Sequence, residues 1–166
     1  MTRTNLFLRQ LVCLALSCVL LVLPVSSALA VDITVTAGSV VAGADASFGT
    51  GTAGATITAG QPLYIDTANS NVLKTADANA SLLTSTVAGI ALHAASTGQP
   101  IKYQTSGLIT IGATVAVGTI YVVSDTAGGI MPAADLSTGE YVAIIGVATT
   151  TGIIKMGLNN SGVAWP

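Results

Sequence analysis

GATITAG at residues 54–60 returns as GATVAVG at residues 112–118. Other echoes follow in the same order. Leu63-Tyr64-Ile65-Asp66-Thr67-Ala68 is matched by Tyr121-Val122-Val123-Ser124-Asp125-Thr126-Ala127, and Ala76-Asp77 by Ala134-Asp135. AGIAL at 88–92 corresponds to IGVAT at 145–149, Ile101-Lys102 to Ile154-Lys155, and Ser106-Gly107 to Ser161-Gly162. Six matches in order, at an offset that drifts only between 53 and 59, define two copies of one unit, residues 54–107 and 112–162. Two such units are too few to stack as a solenoid, which needs roughly three or more. They are expected to close on each other as the halves of a small barrel or sandwich.

The unit is made of strands. No segment keeps an apolar period of 3.6, whereas short β-branched and aromatic runs recur between Gly, Asp, Asn and Ser. The expected strands are Ile33–Thr36, Ala55–Thr58, Leu63–Asp66, Asn71–Thr75, Val87–His93, Ile101–Thr105, Leu108–Ile111, Thr119–Ser124, Tyr141–Thr149 and Gly152–Met156. Frequent threonine suits a pleated surface, because branching at Cβ restricts χ1 without crowding a strand. The fold class is therefore all-β. Gly60 and Gly118 close the opening motif of each copy, and Asp66 and Asp125, each followed by Thr-Ala, read as equivalent turn formers whose carboxylates bond the backbone two residues on.

Two segments lie outside the repeat. Residues 31–53 begin as a possible strand and dissolve into Ala, Gly, Ser and Thr, so they read as an extended N-terminal arm or, equally, as a disordered tail. Such an arm can add itself to a neighbour's sheet edge and would be dispensable for folding; Ile33, Val35, Val40 and Val41 are its candidate contacts. Residues 1–30 carry Arg3 and Arg9, a largely apolar stretch from Leu11 to Leu23, Pro24 and Ala28-Leu29-Ala30. This is the pattern of a secretory signal peptide with small residues at −3 and −1. The competing account is an untranslated upstream extension, with translation starting at the Val31 codon. The β-domain then occupies residues 54–166.

Composition excludes much chemistry. The chain is 51% hydrophobic but only 7% charged, and both cysteines, Cys13 and Cys18, lie before residue 31. From Val31 onward three lysines face seven acids, a formal charge of −4, with no arginine and one histidine. So few cations cannot coat phosphates, which argues against nucleic acid as a partner. No nucleophile elbow, phosphate loop or metal-ligand spacing occurs, so no enzyme activity, cofactor, metal or small-molecule substrate is expected. A calcium site at the Asp66 and Asp125 turns would need more oxygen ligands close by. His93, with no acid nearby in sequence, reads as a capping or interface residue rather than a general base. Lys102 and Lys155 correspond between the copies and read either as edge-blunting lysines or as contacts to an acidic partner. Trp165 either covers one end of the domain or anchors an interface.

Residues 31–166 resemble small structural proteins of tailed-bacteriophage virions. The likeness rests on VDITVTAGSVV, AGATITAGQPLYID, VAGIALHAASTGQPIKY, GLITIGATVAVGTIYVVS, GGIMPAADLSTGEYV and the ending SGVAWP. The Gly60-Gln61-Pro62-Leu63 turn and VAGIAL at 87–92 are similar to those of lambda-type head-decoration (cement) proteins. That resemblance implies a barrel-like homotrimer on the major capsid protein lattice, an N-terminal arm clamping neighbouring subunits, and a place on the virion surface. The leader departs from it, since decoration proteins assemble without export. A leader that is real instead implies a secreted, periplasmic or cell-surface structural protein, such as a fibre or adhesion subunit.

Overall fold

A computed structural model describes residues 31–166; the leader reading at 1–30 lies outside the described residues. Ten strands form one antiparallel sheet: β1 (Val41–Ala42), β2 (Ser47–Thr52), β3 (Pro62–Asp66), β4 (Val72–Thr75), β5 (Gly89–Ala91), β6 (Pro100–Thr110), β7 (Ile120–Val123), β8 (Ile130–Pro132), β9 (Tyr141–Ala148) and β10 (Ile153–Ala164). The fold is all-β. Among the described residues the one α-helical turn, α1 (Leu82–Ser85), starts at a capping box made by Ser81 and Thr84.

Hydrogen-bonded neighbours run β4-β3-β5-β6-β10-β9-β7-β8. The first four strands belong to the first sequence repeat and the last four to the second, and the order is a palindrome of the two. The copies join where β6 pairs with β10, from Thr110 with Ile153 to Ser106 with Gly157. The sheet curls into a half-barrel, and its two ends meet through loops. Gly128 donates to the Ala76 carbonyl at 2.7 Å, and Ala78 to the Ser124 carbonyl at 2.9 Å. The copies are not identical, since β5 has three residues and its counterpart β9 has eight.

Residues 31–53 do not form a free arm. They run across their own domain as a strap and continue into the first repeat. Ile33 donates to the Ile130 carbonyl on β8, and Thr36 to the Gly112 carbonyl. β1 and β2 then line one edge of β6, from Val41 opposite Thr110 to Thr52 opposite Pro100. Gly54 finally bonds the Leu73 carbonyl on β4. One segment thus pairs along the free edge of β6 and adds a single bond each to β8 and β4. Each backbone bond nets roughly 0.5–1.5 kcal/mol, so a ladder can hold a segment with little apolar bulk. The glycines that made this stretch look unstructured are required by the packing. A Cβ on Gly49 would overlap the Tyr103 ring, and one on Gly51 the Leu73 side chain.

Other boundaries also moved. Ile101–Thr105 and Leu108–Ile111 are parts of a single strand, β6, bent at Gly107 with φ +88. Ile33–Thr36 is not a strand, and Ala55–Thr58 contributes only a bridge between Ile57 and Ala95. The main core gathers Ile109, Ile111, Tyr121, Val123, Ile145 and Ile154, and a smaller one Ile57, Leu63, Leu73 and Ile101. Ile33, Val35 and Val40 pack half-buried against the main core of their own domain.

Gly60 and Gly118 both have left-handed backbone, at φ +89 and +81. Their surroundings differ. A Cβ at Gly60 would overlap Val35 of the strap, whereas one at Gly118 would meet nothing within 4 Å. Gly118→Ala should therefore cost about 1–2 kcal/mol, the left-handed strain alone. Gly60→Ala should cost about 3 kcal/mol or more, because overpacking adds to that strain. Urea unfolding of both variants checks this, and equal costs would contradict the docked strap.

Candidate interaction surface

Strand register decides which side chains share a face, because directly opposed residues in an antiparallel pair project to the same side. Ile120 on β7 opposes Val147 on β9, Val147 opposes Lys155 on β10, and Lys155 opposes Leu108 on β6. These four residues form one row across four strands. Ile120 and Val147 are 42% and 40% exposed, and Val117, in the turn before β7, is 62% exposed. Lys155 is exposed and Leu108 half-buried. The row ends at Asp45, whose Oδ1 accepts the Leu108 amide at 2.8 Å. An aliphatic stripe with one cation in it therefore lies on the outside of the second repeat.

Among the residues singled out from the sequence, Lys155 alone belongs to this row. Lys102 sits six residues from Leu108 on β6, a strand distance of about 20 Å at roughly 3.3 Å per residue. Its Nζ lies 3.8 Å from the centroid of the exposed Phe48 ring, a cation–π contact. The two lysines do not form one basic site. Val41 is 58% exposed at the far edge of β1. Trp165 is held to the β8–β9 connection by its backbone, donating to the Glu140 carbonyl at 2.7 Å and accepting from Gly139 at 2.9 Å, while its side chain stays 45% exposed. Val117, Ile120 and Val147 were missed because exposure on a strand depends on pairing, which local sequence does not carry.

The turn formers divide. Asp66 Oδ1 accepts the Ala68 amide, and Oδ2 accepts from Lys74 Nζ at 2.8 Å. In the second copy the bond two residues on is made by Ser124, whose Oγ accepts the Thr126 amide at 3.1 Å. Ser124, not Asp125, is thus the counterpart of Asp66. The hydrogen bond from Lys74 is the main cause holding the Asp66 carboxyl below the ordinary carboxylate range, and Asp66 in turn raises Lys74. His93 completes the pairing of β5 with β6. Its Nε2 accepts the Lys102 amide at 3.0 Å, which leaves Nδ1–H of the neutral ring to donate to the Ala94 carbonyl at 2.9 Å.

A cavity of about 580 Å³ opens beside α1, lined by Thr50, Ile65, Thr67, Asn71, Leu83 and Thr86 among others. Its walls hold hydroxyls, one amide and aliphatic carbon, with no acid or base, so proton transfer has no group to run through there. Among the described residues no three His, Cys, Asp or Glu side chains lie close enough together to hold a metal ion. Set beside known proteins, the chain matches no family model, no curated protein and no solved structure.

The Asp66–Lys74 pair sets an acid limit. A carboxylate with a lowered folded pKa contributes stability that is fully present above its unfolded value of about 3.9 and is lost as pH falls through the folded value. The stability advantage of the wild type over Lys74→Met should be constant from neutrality down to about pH 5 and shrink towards pH 2. On the alkaline side it should fade only as pH rises through the raised Lys74 value, above 10.5. Urea midpoints across this range test both signs, and an advantage that grows on acidification would contradict the pairing.

Proposed function

We propose that the domain is a non-enzymatic structural subunit that docks by a strand face onto a protein lattice, as a capsid decoration protein does. The observation that carries this is the outward row Ile120, Val147, Lys155 and Leu108. Exposed aliphatic side chains set side by side across neighbouring strands suit an interaction site. The strap already pairs along β6, and the proposed docking uses a face rather than strand addition. Burying each aliphatic member of the row would contribute about 1.5–3 kcal/mol at most, and a homotrimer on the major capsid protein lattice would multiply that by valency. The phage resemblance supplies the lattice, and the sparse charge of the domain suits a partner recognised by shape and apolar contact. The second reading, an exported surface or fibre subunit, is favoured by the Arg3, Arg9 and Ala28-Leu29-Ala30 leader.

Val147→Asp places a carboxylate in the centre of the row without touching the core. Particles that lack the protein should bind this variant at least tenfold more weakly than the wild type, with circular dichroism unchanged. Equal binding would remove the row from the interface. Wild-type protein absent from purified virions and present in the periplasm would replace the capsid role with the exported one.

A further inference from the structure

The cavity of about 580 Å³ beside α1 draws its walls from β2, β3, the β3–β4 turn, α1 and the connection to β5. It belongs to the first half of the sheet and shares no residue with the outward row of the second. Its size falls within the roughly 300–1,000 Å³ usual for ligand pockets. Thr86 spends its hydroxyl proton on the Leu82 carbonyl at 2.9 Å. The side chains of Thr50, Thr67 and Asn71, by contrast, bond nothing among the described residues and stay exposed. Asn71 has left-handed backbone, φ +56, a conformation that glycine takes at no steric cost. The turn needs only a residue tolerant of that conformation, so the amide is free for another task. Ile65 and Leu83, each 37% exposed, bring aliphatic carbon to the same walls.

We propose that this cavity binds a neutral saccharide. No charged side chain lines it, so an ionised ligand would lose water there without gaining a counter-charge. Threonine hydroxyls and an asparagine amide each donate and accept, as the hydroxyls around a sugar ring do. The C–H face of that ring suits Ile65 and Leu83. Phe48 lies two residues before Thr50 on β2, which puts both side chains on one face, and it is 46% exposed. Its ring adds an electron-rich surface to which sugar C–H groups are attracted. A peptide fits less well, because β3, which contributes Ile65, is already paired on both sides by β4 and β5 and offers no main-chain ladder. Glycoside cleavage takes two carboxylates flanking the bond, and none lines this cavity, so the sugar would be held without being cut. The inference does not rest on the capsid reading, since the two surfaces use different strands.

NMR titration of the 15N-labelled full chain tests this, with trisaccharides of glucose, galactose and N-acetylglucosamine as probes and a capped neutral hexapeptide as comparator. At least one trisaccharide should move the amides of Thr50, Thr67, Asn71 and Leu83 saturably, with a dissociation constant of about 1 mM or tighter. Asn71→Gly keeps the left-handed turn and removes the amide, and should weaken that binding about three- to tenfold. Thr114→Val, in the second repeat, should leave it unchanged. The spectrum of each variant reports at once whether it has folded. Three results overturn the proposal: no saturable shift at these amides from any trisaccharide, an equal response to the peptide, or wild-type affinity in a folded Asn71→Gly.

Discussion

The bend of β6 at Gly107 is the constraint on which the rest of the sheet depends. Polar groups lock it from both sides. Gln104, fully buried, donates from Nε2 to the carbonyls of Ser106 and Leu108, both at 2.9 Å. Asp45 accepts the Leu108 amide from the strap side. Gly107 takes the left-handed backbone that the turn demands, and a Cβ there would meet the Asp45 carbonyl. The bend lets one strand serve both repeats, β5 pairing with its first half and β10 with its second. Without it the two copies would have no common strand and the half-barrel no centre.

The strap follows from the same bend. Thr110 pairs with both Val41 and Ile153, and Gln104 with both Phe48 and Ile90, so β1 and β2 line the edge of β6 opposite β5 and β10. With that edge of β6 covered, and β8 and β4 each bonded once, by Ile33 and Gly54, the strap shields part of the backbone that could template aggregation. A domain so low in charge needs that protection, because repulsion between surfaces cannot supply it. In the proposed docking, the row through Val147 and Lys155 is the part of the outer face that a partner would cover.

Much of this architecture could be read directly. Leu63–Asp66, Asn71–Thr75, Thr119–Ser124 and Tyr141–Thr149 stand out by β-branched and aromatic density, and each falls on a strand within one or two residues. The repeat predicted two related units, and the strand order sets their strands as two halves on either side of the β6–β10 pairing. The strap could not be read, because SFGTGT lacks the bulk by which strands are recognised. Its pairing is written instead in Tyr103 and Leu73, the distant residues whose side chains fill the space above Gly49 and Gly51. The Asp66 turn was legible from local chemistry, but its counterpart slipped by one position, since Ser124 and Asp125 can each accept the same kind of backbone bond. The surface row escaped for a different reason. Ile120, Val147, Lys155 and Leu108 are far apart in sequence and become neighbours only through register.

Native-state amide hydrogen exchange tests most directly whether the strap is part of the cooperative fold. The β2 amides bonded to β6 should open with the same free energy as those joining β10 to β6, within about 1 kcal/mol, because both depend on the locked bend of one strand. If β2 exchanges a hundredfold or more faster while β10 stays protected, residues 31–53 are an arm resting on a domain that folds without them, and the bend of β6 does not hold the strap in place.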